Sequence, residues 1–371
     1  MPKVKGGQME QIAQYDNCKT AITDALKDKN KKKRSSANDN HKSRNKNKRR
    51  IIKIKAHLKR TAWRLKTVLE GESYKAPKMH EFHVRDGANN KLRHITAPDL
   101  HSQFVHHAVF NVVGQTIERR NYFYDCGNMP RKGQSLAIKR TKALFRDKRN
   151  KYYAQFDVSK YYDSIPHKSV IWLLRNRITK DKPTLRLLWK IIKSSGKCGR
   201  GLAIGFYSSQ YLAVLFLQDL DYKITQKYAP GCGYVRYVDD GVITGSNKRV
   251  LRRTLDKIAE YLQMHGLHIK GVWAVRRISD RLMLFLGLRF GRGYTIMGKA
   301  LMYRISRAAR YAANRKPTLH RAAQLLSYWG TLKMCDSYHF RQKHFDPNVS
   351  IKNCKEVISN ACKQQYLARA L

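Results

Sequence analysis

The chain has 371 residues and sets 76 Lys+Arg against 26 Asp+Glu, a formal net charge of +50 with a pI near 10.3. An apolar content of 42% supports a buried core and excludes a wholly disordered basic protein; the length allows one large domain or two to three subdomains around a cleft. Such a charge implies a phosphate-backbone partner bound through counterion release. The cysteines at 18, 126, 198, 232, 335, 354 and 362 form no Cys-x-x-Cys pair, which argues against a zinc or disulfide framework and for a reducing compartment. No apolar run reaches membrane-spanning length and no apolar signal core opens the chain, so the expected location is the cytoplasm, without a membrane partner.

In chain order, residues 27–60 hold sixteen Lys/Arg against two Asp, and residues 1–50 read as a basic arm, disordered or ordered by RNA. Ile51, Ile54, Leu58, Trp63, Leu65, Val68 and Leu69 follow the helical period, and Gly71 stops it. Phe82–Arg85 and Leu92–Ile95 around Asp86-Gly87 read as a basic hairpin, followed by a helix over 100–116. His80-x-x-His83 and His106-His107 have no partners at ligand spacing and read as surface or packing residues. A strand is expected at 152–158, helices at 168–178 and 183–194, the second with Pro183 in its first turn. A long apolar helix runs from Ser209 to about Tyr228, and two strands, 233–238 and 241–245, flank a tight acidic turn. A helix over 248–265, a strand pair around Gly287 and a basic helical stretch over 301–371 complete the chain. Strands and helices mixed without βαβ alternation give an α+β class, an antiparallel palm-type sheet backed by helices.

Two acidic motifs stand out in so basic a chain: Phe156-Asp157-Val158-Ser159-Lys160-Tyr161-Tyr162 and Tyr237-Val238-Asp239-Asp240. An Asp-Asp pair alone is weak evidence, since about one is expected by chance at this composition. Each motif here sits on an apolar run of strand character, which can bring the carboxylates together at one sheet edge. Carboxylates so placed bind two Mg²⁺ ions that clamp the attacking and leaving oxygens of a phosphoryl transfer.

With these blocks, the chain over roughly residues 50–345 resembles a reverse transcriptase. The resemblance rests on Lys91-x-Arg93-x-Ile95, the Phe-Asp-x-x-x-Tyr-Tyr block, Gly201–Gln210, Tyr-Val-Asp-Asp and Phe285-Leu286-Gly287, in that order. The Ile204-Gly205-x-x-x-Ser209-Gln210 form, in place of the more usual Gln-Gly, is similar to the enzymes of diversity-generating retroelements, as is Ser327–Lys333. The resemblance implies a right-hand fold: fingers with N-terminal helices at 51–150, palm at 151–290, helical thumb and C-terminal extension at 291–371. It further implies error-prone, adenine-mutagenic cDNA synthesis from a template-repeat RNA, using deoxynucleoside triphosphates and a cDNA primer, with a small basic accessory protein oligomer as partner.

Carried onto this sequence, Asp157, Asp239 and Asp240 are the expected catalytic residues and, with the Val158 carbonyl, the expected ligands of two Mg²⁺ ions. Lys91 and Arg93 are expected at the triphosphate, or form a merely solvated hairpin. Tyr162 is expected to exclude a 2′-hydroxyl, or is a core tyrosine. Ile204 and Gly205 lie at the nascent pair, where Gly205 allows close backbone approach. Ser209 and Gln210 contact template or cap the following helix. Phe285, Leu286 and Gly287 grip the primer or serve the core. The chain departs from the family at Trp273, where a lysine is usual, with Lys270 displaced nearby. The alternatives are a retron, antiphage or group II intron-like reverse transcriptase, and an inactive RNA-binding protein. Three clustered carboxylates with no metal to hold argue against the last.

Overall fold

The computed structural model describes residues 7–27, 41–77, 79–85, 92–271, 273–313 and 315–370. The chain begins with helices α1 (Gln8–Ala13), α2 (Tyr15–Lys27), α3 (His41–Ala56) and α4 (Leu58–Glu70). Ile12, Cys18, Ala21, Ile22 and Leu26 are buried, joined by Ala62, Leu65 and Leu69 of α4. Residues 8–27 are therefore two core helices, which corrects the expectation of one basic arm over 1–50. The lysines of α2 occupy its outer face while Cys18, Ile22 and Leu26 recur every four residues on the inner one. Residues 28–40 lie outside the described residues. The helix expected from Ile51 is broken at His57, and Trp63 is exposed beside the Tyr15 ring.

Strands β1 (His80–Arg85) and β2 (Leu92–Ala97) form the expected antiparallel hairpin, Val84 opposite Arg93 and Phe82 opposite Ile95. Helix α5 (Leu100–Arg120) is capped by Asp99, whose side chain accepts from the Ser102 N–H at 2.8 Å. Helix α6 (Gln134–Arg146), which sequence reading missed, precedes β3 (Tyr152–Asp157). Then come α7 (Tyr161–Ser164), α8 (His167–Leu173), α9 (Lys182–Lys193) and α10 (Tyr207–Lys223), with a π-helical turn closing α8 and another closing α10. Strands β4 (Gly233–Tyr237) and β5 (Asp240–Gly245), helix α11 (Lys248–Met264) and β6 (Val275–Arg277) complete the central sheet. Its order is β4-β5-β3-β6, and its pairs are antiparallel.

Alternation across that sheet feeds two cores. Ala154, Phe156, Tyr234 and Ile243 face a core built with α2, α4, α5, α10 and α11. Tyr153, Val235 and Val242 face a second core built with α6 and the C-terminal elements. The latter are a sheet of β7 (Met283–Phe285), β8 (Leu288–Phe290) and β9 (Thr295–Met297), then helices α12 (Lys299–Ala312), α13 (Leu319–Leu332), α14 (Tyr338–Phe340) and α15 (Ile351–Ala370). Burial on both faces explains why β4 and β5 read as continuous apolar runs. The class is α+β, an antiparallel sheet backed by helices, as the sequence predicts.

Candidate active site

The acidic turn is displaced by one residue from its sequence-based placement. Tyr237 pairs with Asp240, so the two-residue connection is Val238-Asp239 and Asp240 is the first residue of β5. Val238 adopts φ +61°, a left-handed conformation that a β-branched residue rarely takes. Gly241 is needed for packing: a Cβ there would lie 2.3 Å from the Phe156 ring.

Asp157 ends β3 directly opposite Asp240, and the Val158 N–H donates to the Asp239 carbonyl at 3.3 Å. The Asp157 carboxylate lies close enough to Asp239 to act on its ionisation. Burial first, then the Asp157 charge, raises Asp239 to about 6. Asp240 rises to about 7, chiefly through burial, although Gln155 Nε2 donates to its carboxylate at 3.0 Å. Lys270 approaches Asp157 from solvent, Nζ to Oδ2 3.2 Å, and its N–H donates to the Asp157 carbonyl at 2.7 Å. Among the described residues no three carboxylate, imidazole or thiolate groups converge as a ready-made metal cage. The donor set is the Asp157 carboxylate, the Asp239 carboxylate whose ionisation the Asp157 charge opposes, and Asp240 turned towards Gln155. Hard oxygen donors of this kind fit a divalent cation such as Mg²⁺, which would take over the place of the Lys270 ammonium beside Asp157.

A chain of hydrogen bonds ties the hairpin to this site. The Thr96 N–H donates to the Ile204 carbonyl at 2.9 Å, and the Leu202 N–H to the Tyr162 carbonyl at 2.8 Å. Gly205 has φ +117°, and a Cβ on it would lie 2.6 Å from the Thr96 carbonyl oxygen, so glycine is required twice over. The half-buried Tyr162 accepts at its hydroxyl from Asn128 Nδ2 at 2.9 Å, and burial, partly offset by that bond, raises it to about 12. Arg93 is exposed on β2, and Lys91 lies outside the described residues.

The role expected of Ser209 needs correction, and for Phe285 the core alternative holds. Ser209 is 1% exposed at the third position of α10, its hydroxyl buried without a partner. The helix is preceded by Phe206 and has no side-chain cap, so Ser209 neither reaches template nor caps, whereas Gln210 is exposed. Phe285 is 1% exposed and belongs to the core. The Leu286-Gly287 tip, at φ +51° and +80°, is what the turn presents, and Leu284 beside it is exposed.

Sequence reading also missed Gln155, Asn128, and Arg236 with its partners Asp125 and Asp221. Gln155 Nε2 reaches both Asp240 and the Leu284 carbonyl, the latter at 3.2 Å. Arg236 is fully buried and bridges Asp125 (2.9 Å) and Asp221 (2.6 Å). The signal was present: an arginine inside an apolar strand and an aspartate inside an apolar helix call for each other.

At one end of an antiparallel sheet, in a strongly basic chain, opposed carboxylates stand as expected of a palm-type sheet. Residues 30–271 match the family described as reverse transcriptase (RNA-dependent DNA polymerase), and the chain belongs to that family. Two curated Escherichia coli proteins are similar. Protein YkfC is 25% identical over 154 residues, 39% of this chain and 40% of that protein. The retron Ec73 reverse transcriptase is 30% identical over 134 residues, 33% of this chain and 42% of that protein. The matched region thus spans about two fifths of each curated relative. Similar solved structures include telomerase from Candida tropicalis with the TWJ fragment of telomeric RNA, at TM-score 0.49 and 12% identity over 79% of this chain and 55% of that one. The Candida albicans telomerase with the same kind of RNA fragment gives 0.47 and 11% over 78% and 62%. Among the described residues no helix is long and apolar enough to cross a membrane.

Proposed function

We propose that this protein is an RNA-directed DNA polymerase that extends a primer on an RNA template with deoxynucleoside triphosphates. The observation that carries the reading is Asp157 at the end of β3, directly opposite Asp240 and close enough to raise Asp239, within a basic chain. Asp157 and Asp239, with the Val158 carbonyl beside them, would hold Mg²⁺, and Asp240 would support the site through Gln155. Bound there, two Mg²⁺ ions supply activation of the primer 3′-hydroxyl and neutralisation of the leaving pyrophosphate. Tyr162, fixed by Asn128, bars a 2′-hydroxyl from the sugar position. Lys91 and Arg93 of the hairpin region hold the triphosphate, with Arg suited to bidentate contact. The fingers are 51–150, joined by the N-terminal helices, the palm is 151–290 and the thumb 291–371.

The finer reading is error-prone, adenine-mutagenic cDNA synthesis of the diversity-generating type, with a small basic accessory protein. Its support is Ile204, which offers no polar group at the nascent pair, followed by Gly205. A second reading, a retron-type enzyme, is favoured by the 30% identity to the retron Ec73 protein. The test is primer extension by the purified chain on a defined RNA, followed by sequencing of the cDNA. Errors concentrated at template adenines support the mutagenic reading, and their even spread at low frequency favours the retron type. No RNA-dependent synthesis would refute both.

A further inference from the structure

Val238 stands in a backbone conformation that its own side chain disfavours, and it immediately precedes Asp239. Something outside the turn must hold it there. Arg236, two residues earlier on β4, donates through Nη1 to the Val238 carbonyl at 2.6 Å. Its Nη2 donates to Asp125 Oδ2 at 2.9 Å and to Asp221 Oδ2 at 2.6 Å, and its Nε to Asp221 Oδ1 at 2.7 Å. Tyr234 adds its hydroxyl to Asp221 Oδ1 at 2.8 Å. Burial alone would lower the Arg236 pKa, but the two carboxylates outweigh it and hold the guanidinium well above its usual range.

The backbone repeats the arrangement. The Arg236 N–H donates to the Tyr124 carbonyl at 3.0 Å and the Cys126 N–H to the Arg236 carbonyl at 2.8 Å, so residues 124–126 lie along β4 in parallel. That segment delivers Gly127 against the turn: a Cβ on Gly127 would lie 2.6 Å from both Val238 N and Val238 Cγ2. The turn is thus held by a donor at its carbonyl and by a close-packed glycine.

We propose that Arg236, clamped between Asp125 and Asp221, is a positioning residue that fixes the Val238-Asp239 turn and with it the Asp239 carboxylate. The inference rests on the proposed role of Asp239 in holding Mg²⁺. Arg236 is 0% exposed, so it acts through the turn and not on a reactant. A buried ion pair is in itself a poor source of stability, and apolar residues often replace one without loss. What no apolar residue supplies is the donor to the Val238 carbonyl while both carboxylates stay satisfied; a lysine ammonium cannot span the same set of acceptors.

The test compares the full chain with Arg236→Lys, Gly127→Ala and, as reference, Asp239→Asn. Each is measured for thermal unfolding, RNA affinity, the Mg²⁺ concentration giving half-maximal primer extension, and the Mg²⁺ concentration giving half-maximal thermal stabilisation. Arg236→Lys and Gly127→Ala should fold and bind RNA within about twofold of wild type, yet need at least about tenfold more Mg²⁺ in both assays. Folded variants with wild-type Mg²⁺ requirements overturn the assignment. Loss of the fold in both variants also overturns it, since the cluster is then structural. If Asp239→Asn extends normally, the metal role of Asp239 falls and this assignment with it; if wild type fails to extend a primer, the polymerase reading falls. The Mg²⁺ stabilisation assay still decides the role of Arg236 in that case.

Discussion

Asp239 and Asp240 keep their protons further up the pH scale than free carboxylates do, to about 6 and about 7, because burial and neighbouring negative charge both oppose ionisation. Without metal, the folded chain between about pH 4 and pH 7 holds protons that the unfolded chain has released, so stability is lost as pH rises through that window. Thermal unfolding in a chelator should therefore show a higher midpoint near pH 5 than near pH 8 from these groups, with Mg²⁺ narrowing the gap. An Asp239→Asn/Asp240→Asn variant showing the same pH trend as wild type would exclude these carboxylates as its source. Tyr162 gives a second expectation at this scale: Tyr162→Ala should raise ribonucleotide incorporation about tenfold or more, and Asn128→Ala, which frees the hydroxyl, should move the ratio in the same direction by less. An unchanged ratio in Tyr162→Ala returns the residue to a packing role. Of the site residues, the aspartates were legible because acids on apolar strands are rare in so basic a chain. Asn128 and Gln155 were not, because nothing local distinguishes an amide that serves a distant partner. Arg236 was legible in principle, as a charge within an apolar strand.

At the scale of elements, β3, β4, β5, α10 and α11 declared themselves by long apolar or periodic runs. Helices α1 and α2 did not, because dense Lys, Asp and Gln on their outer faces masked a narrow inner stripe. Helix α6 was hidden in the same way by its Lys and Arg residues around Ala137, Ile138, Leu144 and Phe145. The hairpin turn was misplaced because Asp240-Gly241 looks like turn chemistry, whereas tertiary contacts force Val238 into that role. The loop from Gly201 to Phe206 joins β2 to the site, and Gly205 is its tightest point. Gly205→Ala should push against the Thr96 carbonyl and cost on the order of 1–3 kcal/mol of stability or local order. Primer extension should fall more steeply than RNA binding. Activity and unfolding midpoint both at wild-type levels would show that the hairpin and the loop need not touch.

For the whole molecule, the net charge of +50 governs encounter with nucleic acid while a few carboxylates govern chemistry. Lys29, Lys31, Lys32, Lys33 and Arg34 follow α2 in the sequence and add to that charge. Replacing all five by Gln should make the slope of log affinity for RNA against log salt shallower, by up to about 0.7 for each phosphate that is no longer neutralised. An unchanged slope would assign the segment to solubility. The central claim joins the two scales: a basic chain brings RNA and primer to one sheet end, and Asp157 with Asp239 makes the bond formation there depend on metal. It is tested most directly by primer extension on an RNA template with wild type, Asp157→Asn and Asp239→Asn, alongside RNA affinity for each. The account predicts Mg²⁺-dependent DNA synthesis by wild type, loss of synthesis by several orders of magnitude in both variants, and RNA affinity within about twofold of wild type. Near-normal synthesis by either variant would contradict it.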